Sequence, residues 1–208
     1  EFSQDMVKKP GIRMLGLADN GVRHFTNSVR PIKSPADMKG LKIRIQPSPV
    51  FKTLVESLGA SPSAIPWADL PTALQQKVVD GQENGVTNIL AASLYQHQKY
   101  VTLDGHVWSV HAYLINDAFY SRLPPQQREI VDRGIDIAKW IHRGMTANQD
   151  LNAPKILKEL GMTVTTLTPQ EIEAFRQATQ PAVLEWMRSE FGDHWVDGFL
   201  KALEEARG

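Results

Sequence analysis

The chain has 208 residues, 42% hydrophobic and 22% charged, the proportions of a globular protein with one large core or two small ones. Lys plus Arg and Asp plus Glu each number 23, so formal net charge is zero and no basic excess marks a nucleic-acid partner. Cysteine is absent, which excludes disulfides, thiolate metal sites and a thiol nucleophile, and no apolar run approaches a membrane span.

Residues 3–9 are polar and read as the tail of a helix that Pro10-Gly11 breaks. Residues 12–17 read as a strand closed by an Asp19-Asn20-Gly21 turn, and residues 23–27 as the next extended piece. Ser34-Pro35 and Ser48-Pro49 each set a cap residue before a proline at the first helical position. The first opens a short turn stopped by Gly40. The second opens a helix over residues 50–58 that ends at Gly59. Between them Leu41, Ile43 and Ile45 share one face of a strand, with Lys42 and Arg44 on the other.

Ala64-Ile65 is a short strand leading to Pro66-Trp67, and residues 68–77 read as a helix with Pro71 in its first turn. Val78-Val79 reads as a strand edge and Asp80-Gly81 as a turn. Residues 89–98 are weakly helical. Residues 100–103, 107–110 and 112–115 are separate extended runs, broken by Gly105. This alternation predicts α/β architecture with a largely parallel sheet.

Leu123-Pro124-Pro125 opens a long helix with Ile130, Ile135, Ile137, Ile141 and Met145 near helical period. Pro154 predicts a kink, or a restart capped by Asn152, before Gly161 ends the helix. Residues 162–166 form a last strand. Thr168-Pro169-Gln170-Glu171 is a capping box for a helix reaching about Ser189, and Asp193 caps the final helix.

Several side chains have both a structural and a chemical reading. Arg44 on a strand's polar face is either solvated or paired, or it grips a carboxylate or phosphate with its planar fork; Arg23 has the same two readings. Trp67 is a core residue or a ligand-facing wall. Asn84 is a turn residue or a donor to a ligand carboxylate. Glu83 and Asp80 read as structural, since no histidine stands near them in sequence. The six histidines form no HxH or HExxH pair, so no metal site is expected, and no GxSxG, GxGxxG or P-loop is present.

The segments 20–27 (Asn-Gly-Val-Arg-His-Phe-Thr-Asn), Arg30-Pro31-Ile32, 37–45 (Asp-Met-Lys-Gly-Leu-Lys-Ile-Arg-Ile), 58–62 (Leu-Gly-Ala-Ser-Pro), 73–76 (Ala-Leu-Gln-Gln) and 79–84 (Val-Asp-Gly-Gln-Glu-Asn) run in order. Together with Gln98-Lys99-Tyr100 and Leu123-Pro124, they resemble the solute-binding proteins of TRAP (tripartite ATP-independent periplasmic) transporters, across essentially the whole chain. The resemblance implies a periplasmic-binding-protein-like fold of two α/β lobes that close on a small organic acid. It also implies a periplasmic location, no catalysis, no cofactor, and membrane transporter subunits as partners.

By the same resemblance Arg44 is the principal carboxylate anchor. Arg23 is a second arginine, Trp67 an aromatic wall where many members have Phe, and Asn84 an amide donor. His111 is a weaker carry-over. A C4-dicarboxylate or a related carboxylate is the expected ligand. Family members carry a substantial N-terminal segment before the region matched by Gly11. The expected organisation is therefore one lobe plus a long spanning helix and C-terminal helices. Residues 1–20 would be a crossover to the other lobe and 21–110 the carboxylate-binding α/β lobe. Residues 111–161 would hold a return strand and the spanning helix, and 162–208 the C-terminal strand and helices. Apolar faces made for the other lobe would then be exposed, favouring self-association or a domain-swapped oligomer. The competing functions are a small-acid-processing α/β lyase or isomerase, with a histidine or Glu83 as base, and a ligand-free structural or signalling module.

Overall fold

Local signals set most helix starts. In the computed structural model, which describes residues 2–8 and 11–207, Ser34 precedes a 3-10 turn over Pro35–Met38. There the Asp37 carboxylate accepts from the Ser34 backbone N–H at 2.9 Å. Ser48 precedes helix α2 (Pro49–Ser57). Thr168 precedes helix α7 (Pro169–Phe191) with its capping box closed: Glu171 accepts from the Thr168 N–H at 2.7 Å, and Thr168 Oγ accepts from the Glu171 N–H at 3.3 Å. The remaining helices are α1 (Phe2–Lys8), α3 (Leu70–Gln75), α4 (Val86–Ala91), α5 (Asp117–Arg122), α6 (Pro125–Glu159) and α8 (Asp193–Arg207). The break expected at Pro10 lies outside the described residues. No helix among them is long and apolar enough to cross a membrane.

The strands are β1 (Ile12–Asn27), β2 (Lys42–Ile45), β3 (Ser61–Ala64), β4 (Gly81–Gly85), β5 (Tyr100–Asn116) and β6 (Thr163–Thr166). They form one six-stranded sheet in the order β3-β2-β4-β1-β5-β6. The sheet is mixed rather than largely parallel. β2 runs parallel to β3 and β4, and β5 to β6, but the long β1 is antiparallel to both neighbours, β4 and β5. Strand and helix alternate from β2 to β4 and again from β5 through α5 and α6 to β6, and these two stretches build the parallel crossovers of the sheet.

Two sequence-based expectations fail for one reason. Asp19-Asn20-Gly21 does not turn the chain, and Gly105 does not divide residues 100–115; each lies inside a single long strand. The β1–β5 register shifts between Asp19 and Gly21 and between Arg23 and Phe25. Gly21 and Gly105 both take positive φ. Turn-forming residues here make β-bulges, which absorb an extra residue without reversing the strand. The turn expected at Asp80-Gly81 is present as a bend at Asp80, after which β4 begins at Gly81 with all five of its residues buried. α6 also passes Pro154 without a restart. Asn152 sits inside the helix, its Nδ2 donating to the Asn148 carbonyl at 2.8 Å. Proline so near the helix's end removes one backbone bond, to the Asp150 carbonyl, while the turns before it stay intact.

Each face of the sheet has its own core. Phe25, Ile43 and Ile45 pack with Phe51 and Val55 of α2 and Phe175 of α7. Val101 packs on the other side with Leu70 and Leu74 of α3, Ile89 of α4 and Leu157 of α6. Past Gly21 and Ser109 only β1 and β5 continue, as a two-stranded ribbon. α6 lies along it: Thr146 Oγ1 donates to the Asp19 carbonyl at 3.1 Å, Arg143 to the Leu17 carbonyl at 3.1 Å, and the Val22 N–H to Asp150 at 3.2 Å. Trp108, Val110 and Leu114 of β5 and Ile137, Trp140 and Ile141 of α6 are exposed.

Candidate ligand site at the carboxyl ends of the parallel strands

β3, β2 and β4 are adjacent and parallel, so their carboxyl ends lie at one edge of the sheet. Crevices beyond such ends are where open α/β sheets hold ligands, because the crossover loops diverge there. Arg44 stands one residue before the end of β2, Asn84 one before the end of β4, and Trp67 three past the end of β3. Arg23 pairs with Gly85 and so reaches the same end. His111, opposite Ala18, lies well out on the ribbon.

Register separates these residues by face. Arg44 pairs with Gln82, and Gln82 with Thr26, so these three and Asn84 share one face. Arg23, Phe25 and Glu83 lie on the other. The two arginines therefore approach one end of the sheet from opposite sides. Their partners differ as well. Arg23 is buried and makes a bidentate pair with Glu83, Nε to Oε2 at 2.6 Å and a terminal nitrogen to Oε1 at 2.8 Å. Its guanidinium also lies 5.3 Å from the Phe51 ring centroid.

Arg44 is equally buried, but its Nε donates to the Ile65 carbonyl at 2.8 Å and no carboxylate pairs with it among the described residues. Burial lowers its pKa, with Glu83 opposing and Arg23 adding to the shift.

Sequence distance concealed a further partner of Glu83. His106, on β5, stacks on Phe25 at 4.2 Å between ring centroids, donates to Asp104 at 2.6 Å and reaches Glu83 at 3.4 Å. Burial alone would lower its pKa, but Asp104 and Glu83 outweigh that and raise it to about 9. The same network acts on Glu83: burial pushes its pKa up, but His106 and Arg23 prevail and hold it below the ordinary carboxylate range. His24 behaves oppositely. Burial lowers its pKa to about 4 against the pull of Asp104, and its Nδ1 accepts from the Gly105 N–H at 3.1 Å. The charges are thus three positive groups (Arg23, Arg44, His106) against two negative (Glu83, Asp104). One buried positive charge is in excess, and Arg44 is the unpaired member.

Asn84 is strand, not turn, and nearly inaccessible. Its Nδ2 donates to Gln82 at 2.6 Å and its Oδ1 accepts from Asn88 at 3.2 Å. Trp67 is 45% exposed, so the core reading fails for it. His111 is exposed beside His142, their ring nitrogens 3.5 Å apart. Asp80 accepts from the Lys42 N–H at 2.8 Å, a structural role. No group of three or more potential metal-ligating side chains occurs among the described residues. A cavity of about 660 Å³ lies between α2, α7, α8 and residues 104–109 of β5, and Phe51, Asp104 and His106 are among the residues that line it.

The family model described as bacterial extracellular solute-binding protein, family 7, matches residues 1–190. The chain belongs to that family. A solute-binding protein of Verminephrobacter eiseniae is 38% identical over 198 residues, 95% of this chain and 57% of the relative. The sugar acid binding protein DctPAm of Advenella mimigardefordensis, solved with galactonate, superposes with a TM-score of 0.91 at 29% identity, covering 97% of this chain and 65% of that one. A TRAP periplasmic solute binding protein of Ralstonia eutropha, solved with (S)-2-acetolactate, gives 0.86 at 33% identity, covering 93% and 64%. The chain therefore spans about three-fifths of the length of these relatives. Members of the family bind solutes for transport and are not enzymes, which sets aside the lyase or isomerase reading.

Proposed function

We propose that this chain is the anion-anchoring part of an extracytoplasmic receptor that captures a small organic acid and delivers it to the membrane subunits of a TRAP-type transporter. The observation that carries this reading is Arg44, a buried guanidinium at the carboxyl ends of three parallel strands and without a carboxylate partner among the described residues. Leaving a charge unpaired in a protein interior costs several kcal/mol, so the site favours an anion that completes the pair. A carboxylate fits the planar fork bidentately. Galactonate and (S)-2-acetolactate, the ligands of the two solved relatives, are both carboxylates. A C4-dicarboxylate or a related hydroxy or sugar acid would present the same group.

In this reading Arg44 grips the carboxylate, Asn84 adds a donor and Trp67 covers the carbon skeleton. Arg23, neutralised by Glu83, supports the site from the other face of the sheet, and His111 faces the far side of the cleft. Residues 21–110 form the anchoring lobe, and the ribbon with α6 leads toward a second lobe. A periplasmic location follows from the role. The test is calorimetric titration of galactonate, (S)-2-acetolactate and succinate into the purified protein and its Arg44→Ala variant. Binding that Arg44→Ala abolishes supports the proposal, and unchanged affinity in the variant overturns it.

A further inference from the structure

Seven buried or half-buried polar side chains form one continuous hydrogen-bonded line through the candidate site, and its direction can be worked out from its ends. At one end Gln98 Nε2 donates to the carbonyls of His97 at 2.9 Å and Asp80 at 3.4 Å. Carbonyls only accept, so the nitrogen of Gln98 must face them and its oxygen must face Thr26. The Thr26 hydroxyl, 2.8 Å from that oxygen, therefore donates to it and keeps only acceptor capacity for Gln82. Gln82 Nε2 accordingly faces Thr26 at 2.8 Å, and Gln82 Oε1 accepts from Asn84 Nδ2 at 2.6 Å. This places the Asn84 oxygen toward Asn88 Nδ2, at 3.2 Å.

The other end gives the same answer independently. Ser109 Oγ donates to the Gly21 carbonyl at 3.5 Å and so accepts from Asn20 Nδ2 at 3.1 Å. Asn20 Oδ1 then faces Asn88 Nδ2, at 3.1 Å. Both derivations assign Asn88 its nitrogen as the facing atom, and they meet without conflict. Thr26, Gln82, Asn84 and Gln98 are all at most 3% exposed. An amide turned the wrong way in such surroundings leaves donor facing donor.

We infer that Gln98, Thr26 and Gln82 are positioning residues that lock the Asn84 amide in one orientation, so that it offers the ligand an N–H and never a carbonyl oxygen. Asn84 Nδ2 carries two hydrogens. One goes to Gln82, and the second has no acceptor among the described residues. On the face shared with Arg44 the site thereby presents donors. The ligand class that satisfies it carries acceptor oxygens at this point, as a carboxylate does; an ammonium or amide nitrogen is rejected. The inference rests on the carboxylate reading for its function, but the orientation itself can be tested without ligand.

The experiment is 15N–1H correlation NMR of the 208-residue chain, with the Asn84 side-chain amide assigned by its loss in Asn84→Asp. The expected result is one pair of geminal proton signals, widely separated because only one proton is hydrogen-bonded. Thr26→Val should collapse that separation or split the pair into two sets, and Thr26→Ser should restore the wild-type pair. Gln98→Leu should repeat the effect of Thr26→Val, and it decides the matter if Thr26→Val does not fold. A wild-type amide already split into two sets overturns the lock. So does an unchanged pair in the folded variants, or a Thr26→Ser spectrum that matches Thr26→Val. Failure of the carboxylate reading would instead appear as unchanged affinity in Arg44→Ala, with this spectrum intact.

Discussion

Arg23 and Arg44 stand at the same end of the sheet on opposite faces, and among the described residues only Arg23 of the two has a carboxylate partner. That asymmetry separates two chemically identical side chains. Arg23 is engaged by Glu83, and Arg44 is the guanidinium that the proposed function assigns to an anion.

Arg44→Lys should retain the charge and lose the fork. A lysine ammonium cannot make the bidentate contact or keep the Nε bond to the Ile65 carbonyl. With each charge-assisted bond worth about 1.5–3 kcal/mol, affinity for the captured acid should fall by roughly ten- to a hundredfold without vanishing. Calorimetry beside Arg44→Ala checks the ordering.

Removing one member of the buried Arg23–Glu83 pair should destabilise strongly, by about 3–5 kcal/mol, because the other is left charged and unpaired. Glu83→Leu should therefore be much less stable than the double variant Arg23→Met/Glu83→Leu. Equal denaturant midpoints for the two would contradict the pairing.

His106 and His24 should bend the pH profile of stability in opposite directions. His106 has a folded pKa near 9, above its unfolded value. Its contribution is complete below about pH 6.5 and is lost as pH rises through 9. His24 has a folded pKa near 4, so stability falls as pH drops from about 6.5 toward 4. Each shift corresponds to at most about 3 kcal/mol. Urea unfolding between pH 4 and 9 should show a maximum near 6.5. His106→Gln should flatten the alkaline limb and His24→Asn should reduce the acid one.

Gly85→Ala should be severely destabilising although the residue lies in an ordinary strand. A Cβ there would fall 2.7 Å from the Asn20 carbonyl oxygen, on backbone that cannot retreat without opening the β1–β4 pairing. A thermal midpoint within a degree or two of the parent would contradict the close approach.

The apolar face of β5 and α6, with Trp108, Leu114 and Trp140 exposed, should make the isolated 208-residue chain self-associate, by simple docking or by exchange of elements between copies. Sedimentation velocity checks this, and a monodisperse monomer would count against it.

What the sequence disclosed follows from how each feature is encoded. Ser34-Pro35, Ser48-Pro49 and the Thr168–Glu171 box were legible because caps are local chemistry. The length of β1 and β5 was not, because glycine and asparagine serve bulges as well as turns. β4 was hidden for another reason: Gln82, Glu83 and Asn84 look solvent-facing, yet each is buried against partners 20 or more residues away or along its own strand. Periodicity detects apolar burial and is blind to polar groups that satisfy one another. The Glu83–His106 contact spans 23 residues and no spacing announces it.

The β1–β5 pairing joins Ile12 to Asn116 and Asn27 to Tyr100. Such ladders close loops of roughly a hundred residues before they are rewarded, whereas β2, α2, β3 and β4 make their contacts over short stretches. Folding speed therefore favours the segment from β2 to β4 as the early-forming piece, and it contains Arg44, Trp67 and Asn84. The proposed anion anchor belongs to the part of the chain that needs least of the rest to find its shape. The ribbon, arriving late, adds the span that the site looks out upon.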